Sequence, residues 1–234
     1  MTRPPNFRTL TGLLLAAVFA LGGVAPSWAN ADGWKLSADS NDVRVWKRDV
    51  PDSPFVEFRA ETTVKSSLAA LVNLFYDLDA APKWLDHTRR VVALRRDDTI
   101  HEYVLLIETD MPWPIKDRDA VIQGRWWQEQ ETLAVLMRAR SVDVHPVNPD
   151  YVRNVIRSDW TFIPQGGGRV KVVMGGHVDP GGNLPIWAVN LLIQESPLAT
   201  LGNLRKIIAD PKRQANRHPD IVEPPEDFVP PSAR

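Results

Sequence analysis

The sequence predicts an α+β fold in which a curved antiparallel β-sheet wraps around one long C-terminal helix and encloses an apolar cavity. Three observations carry that expectation. Period-two alternation opens the region after the N-terminal leader, and several more strand-like runs fill its middle. A single long segment of helical period closes it. A sheet of this length cannot leave both faces wet, and the terminal helix is the element long enough to cover the apolar one.

Arg3 and Arg8 make a basic start, residues 10–21 form an apolar stretch, and Ser27-Trp28-Ala29 sets small residues where a signal peptidase cleaves. Ala29-Asn30-Ala31 offers a second site. Residues 1–29 are therefore expected to be a signal peptide, and the protein to be exported, periplasmic or secreted. A transmembrane anchor is the alternative, but spanning a bilayer takes about 20 apolar residues and this run is shorter. Residues 30–210 are the expected ligand-binding domain, long enough for one sizeable core. Residues 211–234 carry Pro211, Pro219, Pro224, Pro225, Pro230 and Pro231 among charges, which predicts a disordered tail.

Residues 42–47 and 55–64 alternate as strands. In the second, Val56, Phe58, Ala60, Thr62 and Val64 share one face; Glu57, Arg59 and Glu61 share the other, assigned to solvent. Leu68, Leu71, Val72, Phe75 and Leu78 then follow helical spacing, with Ser66 or Ser67 as N-cap. Residues 79–82 break that helix and start a short second one through Trp84. In residues 101–108, His101, Tyr103, Leu105 and Ile107 fall on one face. Val104 and Leu106 join Glu102 and Glu108 on the other, so the alternation is imperfect. Residues 120–127 and 133–139 read as a hairpin, and residues 155–163 and 170–178 as another, turned by Gly166-Gly167-Gly168. The last helix is expected over residues 185–209, with Asn183 as cap, Pro185 in its first turn, Pro197 bending its middle, and Arg205 and Lys206 at the negative end of its dipole. Trp187, Leu191, Leu198, Leu201 and Ile208 share one face, with Leu204 beside them.

Composition narrows the function. Without Arg3 and Arg8 the chain keeps 26 basic residues against 29 acidic ones, and it has no clustered positive face for nucleic acid. It has no cysteine, so stability rests on the core. His87, His101, His145, His177 and His218 show no metal-ligand spacing. There is no Gly-x-Ser-x-Gly elbow and no phosphate-binding loop. His177 and Asp179 lie two apart on one strand, read as solvated strand-end residues rather than a dyad. No cofactor, metal or catalytic group is expected, and the protein is expected to be a monomer that binds a hydrophobic small molecule in its cavity, with transient membrane contact.

The chain has nine tryptophans, and ligand pockets are lined mainly by apolar and aromatic side chains. Trp84, Tyr103, Trp160, Met174 and Trp187 are the candidates for the cavity wall, each weighed against ordinary core packing. Leu191 is expected to face the cavity from the terminal helix. Buried Tyr103 would need a partner for its hydroxyl. Trp113, stiffened between Pro112 and Pro114, either touches ligand or membrane or plugs the loop. Arg118 either anchors a ligand head group or forms a structural ion pair with Asp119. A cavity of roughly 300–1,000 Å³ is expected.

Three segments carry a family likeness. Residues 79–84 end a helix in Trp84 before the next strand. Pro112-Trp113-Pro114 is followed by Arg118-Asp119. Asp179-Pro180-Gly181-Gly182 leads through Leu184-Pro185 into Trp187, Ala188, Val189 and Asn190. In this order the chain resembles the START domain, the lipid-transfer module of the helix-grip superfamily, from about residue 33 to residue 208. The resemblance implies a helix-grip fold with an internal tunnel, and binding of one lipid-like molecule without covalent chemistry. Sterol-binding members tend to keep a charged residue on the strand after the Arg-Asp pair. Here that stretch reads Ala120-Val121-Ile122-Gln123-Gly124, so no sterol anchor is carried over. Helix-grip folds also host cyclases and hydratases, so an enzyme acting on an aromatic or polyketide-like substrate is the alternative.

Overall fold

The computed structural model describes residues 33–231. The expected signal peptide and its cleavage sites lie outside the described residues. Nine strands pair antiparallel: β1 Lys35–Ser40, β2 Val43–Arg48, β3 Glu57–Lys65, β4 Thr88–Asp97, β5 Glu102–Thr109, β6 Arg118–Gln128, β7 Val135–Ser141, β9 Val155–Pro164 and β10 Arg169–Asp179. Their spatial order is β1-β2-β3-β10-β9-β7-β6-β5-β4, and the two-residue β8, Val152–Arg153, adds parallel to β6. The helices are α1 Leu68–Tyr76, α2 Ala81–Trp84, α3 Ile186–Ile208 and α4 Pro211–Gln214, with a 3₁₀ turn at Leu78–Ala80 leading into α2.

Both expected hairpins form. The second turns through Gly166, Gly167 and Gly168, all at positive φ, a region that glycine enters without Cβ strain. Ser67 caps α1, its hydroxyl accepting from the Ala70 amide at 3.1 Å. β1 and β8 went unread: β1 is a largely exposed edge strand with little apolar alternation, and β8 is too short to show a period.

Three assignments change. Glu57 and Glu61 do not face solvent; they are 7% and 2% exposed. Neighbouring strands lay long cationic side chains over them. Glu61 pairs with Arg44 and, at 2.7 Å, with Lys171; Glu57 pairs with Arg48 and, at 2.6 Å, with Arg157. The imperfect alternation of β5 reflects burial on both faces. Tyr103, Leu105 and Ile107 point to the concave side, while Val104 and Leu106 pack with Val121, Val92 and Val142 on the convex side.

The phase of α3 is the second change. Its buried residues are Val189, Ile193, Pro197, Thr200, Leu201, Leu204 and Ile208. Trp187 and Leu191, expected on the inner face, are 72% and 46% exposed. Ile193 lies roughly half a turn from Leu191, and it packs with Val189 against Val56. The cap differs as well: Pro185, not Asn183, holds the N-cap position, without a side-chain bond.

The third change is the tail, which was expected to be disordered. After α4 it runs as an ordered strap over the α1 side of the molecule. Glu223 accepts from the Leu68 and Ala69 amides at 3.0 and 2.7 Å, Ile221 is buried, and Gln128 binds both backbone groups of Val222.

Candidate ligand pocket

An apolar pocket of about 160 Å³ lies between α1–α2 and the concave face of β4–β7 and β9. Leu74, Phe75, Ala81, Trp84, Leu105, Ile107, Ile122, Met137 and Trp160 make most of its wall. It is smaller than expected because aromatic rings fill the space. Phe75 packs on Trp84, Trp160 and Phe162 with centroids 4.9, 5.0 and 5.5 Å apart, and Trp84 meets Trp160 at 5.8 Å. The terminal helix does not line it. α3 packs onto β1–β3 and α2, which closes that half of the concave face with solid core.

Of the sequence candidates, Trp84, Tyr103 and Trp160 are brought together in the pocket wall. Met174 lies opposite Trp160 on β10, in the core rather than the wall. Trp187 and Leu191 are on the outer face of α3. Trp113 is 93% exposed at the tip of the loop before β6, neither plug nor wall. Residues the reading did not nominate, Phe75, Leu105, Ile107 and Trp126, complete the pocket. Their signal was present: Phe75 sits on the apolar stripe of α1, and Leu105 and Ile107 share a face with Tyr103.

Arg118 is buried, but Asp119 is not its partner. Asp119 receives a two-pronged bond from Arg153 at 2.8 and 3.0 Å. The Arg118 guanidinium donates to the carbonyls of Lys116 and, at 3.5 Å, Pro180, and burial holds its pKa below the ordinary value. It therefore ties the loop bearing Trp113 to the loop that enters α3. It is not in the pocket wall.

The pocket mouth is at the β4–β5 turn. Arg96 pairs with Asp98 at 2.5 Å and lies over the Tyr76 ring, 4.0 Å from its centroid. His101 stacks on Trp126 at 3.9 Å, and the Trp126 indole donates to the Tyr76 hydroxyl at 2.9 Å. From the strap, His218 meets the edges of Tyr76 and Trp126 at 5.3 and 5.4 Å. Inside, burial pushes the Tyr103 phenol up to about 12, so it stays neutral. His177 and Asp179 do not act together: His177 bonds Ser53 at 2.9 Å, and Asp179 accepts from the Gly181 amide at 2.9 Å. Among the described residues, no three His, Asp or Glu side chains gather closely enough to hold a metal ion.

The model of the START domain family matches residues 27–208. An uncharacterised protein of Pseudomonas aeruginosa is 29% identical over 201 residues, 82% of this chain and 93% of that protein. The crystal structure of a STAR-related lipid transfer protein from Xanthomonas axonopodis superposes with a TM-score of 0.70 at 30% identity, covering 76% of this chain and 99% of that one. Human StAR-related lipid transfer protein 5 shares the fold, with a TM-score of 0.67 at 21% identity over 77% of this chain and 88% of its own.

Proposed function

The chain belongs to the START domain family, and from that premise we propose that it binds a lipid-like hydrophobic ligand in the pocket beneath α1–α2 and carries it without changing it covalently. The observation that carries this reading is the pocket wall, apolar and aromatic with its charged groups confined to the mouth. The rival enzyme reading needs an acid and a base converging on a substrate. The ionisable group inside, Tyr103, is held as a neutral phenol by burial. At about 160 Å³ the pocket is smaller than the roughly 300–1,000 Å³ of ordinary small-ligand sites, so a long-chain ligand requires the α1–α2 wall or the mouth to give way.

Export completes the proposal, supported by the basic start and short apolar run of residues 1–29. N-terminal sequencing of the protein from its native host should begin near Asn30 or Asp32. Transient membrane contact is proposed through Trp113, on the loop before β6, and through Ile186 and Trp187, in the first turn of α3; all three are exposed, and Arg118 ties the first loop to the one that leads into α3. The protein acts as a monomer, with no nucleic-acid partner.

The test is mass spectrometry of lipid extracted from native protein, with ligand displacement of Nile red measured on wild type and on Val91→Trp. Val91 lies in the pocket wall on β4, near the sheet edge, where a large ring can fill the cavity with little effect on the fold. Co-purified lipid, and dye binding lost in a folded Val91→Trp, is the expected outcome. Unchanged binding in that variant overturns the pocket assignment.

A further inference from the structure

The pocket wall contains polar groups with no partner. Trp84 is 1% exposed, and its indole N–H has no acceptor. Buried donors in native proteins are nearly always paired, so one left open in a cavity wall calls for an acceptor from elsewhere. Tyr103 lines the same pocket, and among the described residues no hydrogen bond reaches its hydroxyl. Its position is built rather than incidental. Gly124 lies opposite Tyr103 on β6, and a Cβ there would meet the Tyr103 oxygen at 2.7 Å, the Arg138 carbonyl at 2.6 Å and the Ala139 methyl at 2.8 Å. The glycine is what leaves room for the phenol.

The charges nearby are just as informative. Arg96 and Asp98 at the mouth satisfy each other, and Arg118 is engaged by backbone carbonyls outside the pocket. Among the described residues that line the pocket, the one Lys or Arg is Arg96, already paired with Asp98, so the interior offers neutral donors, and a buried carboxylate or phosphate without a counterion is strongly disfavoured.

We propose that Trp84 and Tyr103 form a polar recognition point inside the pocket, and that the ligand is a neutral amphiphile presenting a carbonyl or hydroxyl oxygen to them. This rests on the carrier reading and names the ligand's polar end. The indole donates to the ligand oxygen, and the phenol donates or accepts as the ligand requires. The apolar rings of Phe75 and Trp160 hold the chain.

The experiment compares 1-octanol, octanoate at pH 8 and n-octane as displacers of Nile red from the purified protein and from Tyr103→Phe, which removes one oxygen and leaves the ring packing in place. Octanol should outcompete octanoate, and Tyr103→Phe should weaken octanol roughly tenfold while leaving octane unchanged, the effect of losing about one hydrogen bond. Trp84→Phe should give the same selective loss, with its melting curve as the check on folding. If octanol and octane respond alike to Tyr103→Phe, or octanoate binds best, the recognition point is refuted while the carrier reading stands. If none of the three displaces the dye, both fail.

Discussion

At the scale of single residues, position in the helix phase decides what a side chain does. Leu191 and Leu204 are both leucines on α3. Leu204 is fully buried in the main core, and Leu191 is on the outer face. Leu191→Asp is therefore expected to stay within about 0.5 kcal/mol of wild type in urea unfolding, while Leu204→Ala loses about 2–5 kcal/mol. His218 gives a second case. Its surroundings include Tyr76 and Trp126, with His101, Arg96, Asp98 and Asp220 the charged or titratable groups that face it. Burial, the largest influence, holds its pKa below the ordinary 6.5; Asp220 opposes this. A histidine whose folded pKa is depressed favours the fold when neutral. Its contribution is complete above the unfolded value and is lost as pH falls through 6.5 toward the lower folded one. The melting temperature should therefore be higher at pH 7.5 than at pH 5, and His218→Gln should narrow that difference. An unchanged difference would show that His218 does not set it.

At the scale of elements, α1 is the clearest example of a helix finished by a distant segment. Ser67 satisfies one amide of its first turn, and Glu223, more than 150 residues later, satisfies two more. A carboxylate at a helix N-terminus also meets the positive end of the dipole. Glu223→Ala should destabilise the protein by about 1 kcal/mol and speed amide exchange at Leu68 and Ala69, measured by hydrogen–deuterium exchange. α1 also supplies Leu74, Phe75 and Tyr76 to the pocket, so the strap caps a helix that forms part of the pocket wall.

At the scale of the whole molecule, the sheet divides its concave side in two. The β1–β3 half takes α3 as solid core, and the β4–β7 half keeps the pocket under α1–α2. Arg118 joins the Trp113 loop to the loop that leads into α3, whose first turn carries Trp187, and both aromatic side chains are in solvent. Tryptophan favours the membrane interface, where its ring is buried and its N–H stays wet. Trp113→Ala combined with Trp187→Ala should reduce cosedimentation with phosphatidylcholine vesicles several-fold without changing the melting temperature. Equal sedimentation of variant and wild type would remove these two tryptophans from membrane contact.

The sequence by itself determined the fold class, most strand and helix positions, the glycine turn and a serine cap at residue 66 or 67, and its candidates for the cavity wall included Trp84, Tyr103 and Trp160. These depend on local period and local backbone preference, which are written in consecutive residues. It did not determine that Glu57 and Glu61 are buried, because their cationic partners come from other strands. Nor did it determine the order of the tail, since Glu223 and Ile221 acquire their roles only when α1 and its neighbouring elements are in place. The rotation of α3 was decided by tertiary packing too. Both faces of its first half carry apolar residues, so periodicity alone could not choose between Trp187–Leu191 and Val189–Ile193. Contact with Val56 made the choice, and with it put the pocket under the short helices rather than under the long one.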